Sequence, residues 1–540
     1  MDVFTVSIIA SFLFFIGIGI FMSRRVNTKT DYFVAGRNVG VFMVVGTLVA
    51  SYLSTVALMG EAGFAYDGFP WAVLMLGTVA QLGYLVGVLL FGRYLRESRT
   101  LTIPEFFGRR FQSPRLRALS GIMVVVGIGL YLVAVTRGAS LVLEMVTGIS
   151  GFWAILITWA AFSFFTILSG SKGVVVTDTI MLIIFMVGGA LGFGFIIHRS
   201  GGFSEVMNRL VSDEGYREGL MWYGAVSGEG AALTSPLETI IYVITFGVVW
   251  MFVLAVSPWQ ASRFMMARSN HVAVRAGLIG LIIVPIFYVL MLFASYSVNL
   301  TNPDIDPSEN VLLWASYNIM PTAVGVIVVT GILVAALSSA STFLSLVGFS
   351  AVHDVAPMFR SKDRPEDSDS KSVKDSRTVM LLVGAAALVV TAIATPGVLE
   401  VGYMAASFFA ASWGFVAFAS TQSKRITERG AFYGMLSGGV IVLLFESLST
   451  FGGLTLPTVL NPVLIGLAAS VIGIVVGSVT TRPTSETLAY ASDLKTRVEV
   501  RPSVAQVKVT NRYILICVIV VVALLVSVGV FYIPGMLPTL

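Results

Sequence analysis

The sequence predicts an all-α polytopic membrane protein of about fourteen transmembrane helices, ten of them in two five-helix sets of opposite orientation. Three observations carry that prediction. The composition is 56% apolar and only 12% charged, far from that of a soluble domain. Apolar stretches long enough to cross a bilayer follow one another along nearly the whole chain. The basic residues gather in alternate gaps between them.

The apolar stretches are 3–23, 39–66, 71–92, 118–147, 152–169, 174–197, 238–262, 272–299, 322–353, 378–395, 398–420, 430–447, 459–479 and 511–533. Each approaches or exceeds the roughly 20 residues that a hydrocarbon core requires. The first ends at Arg24-Arg25, and later basic clusters lie at Arg93–Arg117, Arg263–Arg275, Arg360–Arg377, Lys424–Arg429 and Arg482–Arg512. The gaps Glu61–Pro70, Thr301–Pro321 and Thr450–Thr458 carry no Lys or Arg. About 30 of the 34 basic residues thus share one side, which the positive-inside bias makes cytoplasmic. The chain is expected to be a multi-pass protein of an inner or plasma membrane, with both termini outside the cytoplasm. Stretch 3–23 is not expected to be a cleavable signal peptide, because Asp2 precedes it and two arginines, not small residues, follow it. The expected organisation is an extra helix and cytoplasmic loop at 1–38, a first repeat at 39–197, an extracellular loop at 198–237, a second repeat at 238–420 and further helices at 421–540. The polar run 361–377 reads as a mobile cytoplasmic loop. PEFFGRRF (104–111) reads as an interfacial helix with its aromatics toward lipid and its arginines toward phosphate.

Several chemistries are excluded. The net charge of +5 belongs to short loops, so it marks topology and not nucleic-acid binding. Cys517 stands alone, which rules out a disulfide framework or thiolate metal site. No Gly-Lys pair exists, so there is no ATPase-type phosphate loop. His198, His271 and His353 sit at separate segment ends and read as interfacial anchors. A transporter of this build is driven by an ion gradient, and no enzyme activity is expected.

Polar residues at membrane depth cost about 2.5–3.5 kcal/mol each when charged, which makes them functional suspects. Asp178 in VVVTDTIM and Arg137 in YLVAVTRGAS stand out, whereas Glu144 and Glu446 lie nearer segment ends. The run ALSSASTFLS places Ser338, Ser341, Thr342 and Ser345 on one helical stripe. That stripe suits helix packing or ion coordination. ASYLST (50–55) interrupts the second stretch, and unwound backbone there would offer carbonyls to a cation. The seventh stretch carries Gly247 in its middle and Ser257-Pro258 near its end. Stretches 2–6 and 7–11 therefore make an inverted pair of five-helix sets, each opening with a broken helix, and the substrate site is expected between the broken pair.

Six segments in order, DYFVAGRNVG (31–40), ASYLST…MGEAGFAYDG (50–68), TIPEFFGRRF (102–111), SGSKGVVVTDTIM (169–181), PWQASRFMMARS (258–269) and ALSSASTFLSLVGFSAVHD (336–354), resemble the sodium:solute symporter family. The resemblance implies a leucine-transporter-like 5+5 inverted repeat and Na+ as the coupling ion. It places the main sodium site at the carbonyls of Ala50, Leu53 and Ala335 and the hydroxyls of Ser338 and Ser339. A second sodium site would use Asp178, Ser341 and Thr342. Substrate contacts are expected from Ser54, Ala57, Tyr131, Arg137 and Trp250. A sugar is disfavoured, since Ala57 and Trp250 stand where sugar carriers present amides and carboxylates. The stretch 130–144 and the SAVHD ending resemble the monocarboxylate and acetate branch, with the proline branch beside it.

The sequence thus describes a sodium-coupled symporter importing a small organic solute, a monocarboxylate, by alternating access, with Arg137 selecting the carboxylate. Its partners are that solute and the lipid bilayer, with no nucleic acid, and it is expected to function as a monomer. The alternatives are a proline-like amino acid symporter and a transporter-like sensor without transport.

Overall fold

The computed structural model describes residues 3–23, 28–221, 223–226, 233, 235–359, 369–394, 397–499 and 504–527. Among them, 12 helices are long and apolar enough to cross a membrane. A bent pair, Val41–Tyr52 and Val56–Tyr66, makes a further span, with an angle of 57° between its halves. The shorter apolar helix Gly151–Ile167 accounts for the remaining expected stretch. It belongs to a helical run of 49 residues, Gly151–Arg199, that also holds the span Lys172–Arg199.

The first break arises locally. Ser51 Oγ bonds back to the Thr47 carbonyl at 2.6 Å, and Ser54 Oγ accepts the Val56 N–H at 3.2 Å. Short hydroxyl side chains thereby compete with the helix ladder. Leu53 leaves the helical region at φ −73°, ψ 69°. The second break falls at Ser257, φ −60° and ψ 149°, and not at Gly247, which stays helical within Pro236–Val256. Pro258 is the cause: it forces the preceding residue into extended backbone and then starts the helix Pro258–Met266. The two broken helices are clipped together where Val39 N–H meets the Met266 carbonyl at 3.1 Å and Arg268 N–H meets that of Val39 at 3.0 Å.

Helix Val41–Tyr52 packs on Gly151–Arg199, Asn270–Ser297 and Thr322–Phe349. Gly46 permits a close approach to Gly151–Arg199, since a Cβ there would lie 2.8 Å from the Thr179 Cα. Val41–Tyr52 and Thr322–Phe349 run antiparallel: Phe33 stacks on Phe349 at 4.0 Å, while Thr47 and Ser338 meet at one carboxylate further along.

Two loop expectations are corrected. Helix Asp369–Ala394 begins inside the stretch expected to be mobile, whose residues 361–368 lie outside the described ones. Helix Ile103–Phe111 exists, but its aromatics do not face lipid. Phe106 and Phe107 are buried against Phe91, with Trp413 beyond. Arg110 is buried too, donating to the carbonyls of Ser420, Ser423 and Thr487 at 2.7–3.2 Å. A guanidinium fork satisfied by three carbonyls no longer needs phosphate. The same helix is latched to the end of the ninth stretch. Thr102 Oγ1 and Arg117 Nε each donate to Asp354 at 2.9 Å, and His353 Nε2 lies 3.3 Å from Glu105. Burial raises Glu105, but His353, the Leu101 N–H and Arg109 outweigh it and hold the carboxyl at about 2, below its ordinary 4.5. The contribution of the Glu105 carboxylate is therefore fully present above about pH 4.5 and is lost as pH falls through about 2.

Candidate functional site

The break in the first helix frees backbone at the position the sequence singled out. Ser54 N–H, which would close the Ala50 carbonyl in an unbroken helix, turns instead to the Tyr52 carbonyl at 2.7 Å. Ala50 and Leu53 are fully buried, as are Ala335, Ser338 and Ser339 on the facing helix. Because the helices are antiparallel, one turn from Thr47 toward the break is Ala50, and one turn from Ser338 in the same direction is Ala335. Ser339 Oγ is buried without a hydrogen-bond partner among the described residues. A released carbonyl and an orphaned hydroxyl on facing helices are oxygen ligands of the kind a hard cation takes.

Below that level sits a node the sequence describes only in part. Asp178 is 0% exposed; one carboxylate oxygen accepts from the Ser338 hydroxyl and the other from that of Thr47. Its charge is matched by Arg263, whose Nη2 lies 3.6 Å from Oδ2 and donates to Thr342 Oγ1 at 2.6 Å. Ser341 Oγ turns to the Ser338 carbonyl at 2.8 Å. The oxygens expected to hold a second sodium are thus brought together, but protein groups already engage them. Arg263 is only 2% exposed, so it is a membrane-depth cation and not one of the cytoplasmic charges among which the sequence places it. Lys172, the near neighbour in sequence, pairs with Asp31 at 2.6 Å.

On the other side of the break lies a buried aromatic cluster. Tyr52 stacks on Tyr288 at 5.8 Å and meets Trp250 and Tyr84 edge-on at 6.0 and 6.5 Å. Gln81 Nε2 reaches the Tyr52 hydroxyl at 3.4 Å, and Ser54 Oγ lies 3.4 Å from that of Tyr131. Tyr131 in turn packs on Trp259 and Phe343. Ala57 is buried in the same turn as the break. Of the expected substrate contacts, Ser54, Tyr131 and Trp250 line this region.

Residues 32–438 match the model of the sodium:solute symporter family. This chain belongs to that family. Curated members similar to it include the sodium/pantothenate symporters of Haemophilus influenzae, 25% identical over 68% of this chain and 74% of that protein, and of Escherichia coli, 23% identical over 80% and 88%. The sodium/proline symporter of Salmonella typhimurium is 24% identical over 88% of this chain and 93% of that protein. Among solved structures, a Na+-coupled sialic acid symporter in a substrate-bound outward-open state aligns with a TM-score of 0.71 at 18% identity, covering 90% of this chain and 99% of that one. Mhp1, a nucleobase-cation-symport-1 family transporter, aligns at 0.57 with 12% identity, over 87% and 99%. These likenesses show the inverted-repeat fold of the leucine-transporter type. Membership of the symporter family makes the chain a transporter and not an enzyme.

For a family whose members carry solutes, the position of Arg137 matters. It does not join the aromatic cluster. Its Nη1 lies 3.7 Å from Glu144 Oε1, with the two side chains 20% and 28% exposed, and its charge acts on Glu309. The packing of Gly138 against Thr55, where a Cβ would lie 2.6 Å from the Thr55 Cβ, turns that side of the helix to the break and Arg137 away from it. Glu309, Asp67, Glu400 and Glu446 line a cavity of about 650 Å³ that reaches Gly60 just beyond the broken helix. Arg137→Lys should therefore shift the half-saturating solute concentration by no more than about fivefold, the worth of a part-exposed ion pair. Uptake kinetics check this, and a much larger shift returns Arg137 to the substrate site.

The symporter's most conspicuous unanticipated residue is Glu61. The sequence sets it at the start of a gap free of basic residues, yet it is 2% exposed and lies among Tyr52, Tyr288 and Tyr131. A helical reading carried two turns past ASYLST would find it, because the span continues to Tyr66. Thr47 and Gln260 are also absent from the residues that the sequence singles out. Gln260 Nε2 reaches Ser51 Oγ at 3.3 Å and becomes visible only when the two broken helices are brought together.

Proposed function

We propose that this chain imports a small solute bearing a single carboxylate together with sodium, by alternating access, as a monomer in a plasma or inner membrane. The observation that supports the reading is that two packed antiparallel helices carry a released Ala50 carbonyl on one and an orphaned Ser339 hydroxyl on the other. Sodium bound by Ala50, Leu53, Ala335, Ser338 and Ser339 would fix the first broken helix against Thr322–Phe349. That ordering shapes the aromatic cluster beside the break, so each ligand offsets part of the other's ordering cost. Asp178 and Thr342 already hold Arg263, and Ser341 is turned to the Ser338 carbonyl, which favours one coupled sodium over two.

Pantothenate and proline, the solutes named for the relatives, both carry one carboxylate, and this supports the monocarboxylate reading in its broad sense. The proline-like alternative is supported by the buried Glu61, which suits a solute with a cationic group as well. The repeat boundaries 39–197 and 238–420, with extra helices on either side, and the outward placement of both termini rest on the charge bias between spans.

Uptake into proteoliposomes tests the function. Whichever of labelled proline and pantothenate is carried should accumulate only when an inward sodium gradient is imposed, and potassium should not substitute. Equal uptake in sodium and potassium overturns the reading.

A further inference from the structure

Glu61 is a carboxylate at membrane depth for which no ion pair exists among the described residues, and its Oε2 is buried with no hydrogen-bond partner. The groups around it are also unmet. Trp250 Nε1 and Gln81 Oε1, whose side chains meet Tyr52, are buried without partners among the described residues, and the Tyr288 hydroxyl that faces the carboxylate brings it no positive charge. Such orphans are rare in a folded protein unless something else supplies their partners. Here they share one set of rings, with Tyr288, Trp250 and Tyr84 all grouped on Tyr52, and Glu61 acts on Tyr52 and Tyr288 within that set.

Resting on the symporter reading above, we propose that Glu61 and this ring cluster form the subsite for a cationic nitrogen of the substrate, so that the solute is a zwitterion and not a simple anion. A neutral hydroxyl could donate to Glu61 but would leave its charge uncompensated in a low-dielectric setting. An ammonium group compensates the charge, and its remaining surface is attracted to the faces of Tyr52, Trp250 and Tyr288. Glu61 is placed to do this by the fold. The break at Leu53 and the π-helical turn Val56–Glu61 re-aim the segment, bringing position 61 over the side chain of Tyr52 in the preceding half of the same broken helix. The uncompensated charge would also make the cluster unfavourable to an anion lacking nitrogen, which provides rejection as well as affinity.

The test uses the purified full-length chain and four probes, L-proline, glycine betaine, acetate and pantothenate, each with sodium or potassium as the sole cation. Sodium-dependent thermal stabilisation should occur with proline or betaine and not with acetate or pantothenate. Glu61→Gln should weaken the nitrogen-bearing solute by roughly tenfold or more, the loss of a charge-assisted contact, while stabilisation by sodium alone stays at its wild-type value. Stabilisation by acetate or pantothenate in the wild type overturns the subsite, and this arm decides the matter even if the variant does not fold. Unchanged proline or betaine affinity in Glu61→Gln also overturns it. In both of those outcomes sodium dependence persists and the symporter reading stands; loss of any response to sodium in the wild type would overturn that reading instead.

Discussion

In Ser339→Ala, sodium affinity falls by roughly ten- to a hundredfold, while stability measured in potassium is unchanged or slightly raised. The two halves of this expectation come from the same atom. Ser339 Oγ is buried and makes no hydrogen bond among the described residues, so its removal breaks nothing there in the sodium-free protein. An unmet buried hydroxyl costs about 1–3 kcal/mol, and alanine relieves part of that. A residue that the fold would be better without, in a helix facing a released carbonyl, is explained by a ligand. Ser338→Ala provides the contrast. Its hydroxyl donates to Asp178, so that variant loses stability and sodium affinity together, and the double variant loses sodium-driven uptake altogether. The measurement is sodium titration by thermal shift, alongside melting in potassium. Wild-type sodium dependence in Ser339→Ala would remove this hydroxyl from the ion site.

Asp178→Asn destabilises the protein by about 3–5 kcal/mol, because it strands Arg263 as a buried charge without its partner. Neutralising both, as Asp178→Asn with Arg263→Gln, recovers most of that loss, and the double-mutant cycle gives a large favourable coupling. The geometry requires this sign. Asp178 is 0% exposed, both its oxygens accept hydroxyl hydrogen bonds, and Arg263 at 3.6 Å is the cation that faces it. Transport stoichiometry provides a second readout. With Arg263 in place of an ion, wild type should carry one sodium per solute, and the double variant should keep that ratio. A wild-type ratio of two that falls in Asp178→Asn would show instead that sodium displaces the guanidinium, returning Ser341 and Thr342 to ion coordination. Additive single-variant effects would mean the pair contributes nothing as a pair.

Much of the sodium site is legible in the amino-acid sequence alone. ASYLST carries the hydroxyls that break its own helix, and ALSSASTFLS sets Ser338, Ser341, Thr342 and Ser345 on one stripe by helical period alone, with Ser339 beside it. What is not legible there is which of those oxygens stay free. Ser338, Ser341 and Thr342 look alike in sequence to Ser339, yet each is committed to a partner, whereas Ser339 is not. The difference depends on residues far away in the chain, Asp178 and Arg263, whose side chains arrive from separate helices.

The sequence by itself determined the apolar spans, the inverted order of the two broken helices, the local break within ASYLST, and the membership of a sodium-coupled family, while it left the second break between Gly247 and Ser257-Pro258. These follow from hydropathy, proline and hydroxyl chemistry, and motif order, all of which act over a few residues or a single span. Only the tertiary structure decided the pairings of the charges. Arg263 moved from the cytoplasmic set to Asp178, Arg137 went to Glu144, Arg110 to three carbonyls, and Glu61 to a ring of tyrosines without a cation. The physical reason is that a charge in a low-dielectric interior must be matched within a few ångströms, and which group comes within that distance is set by how helices pack, not by the run of residues that carries either partner.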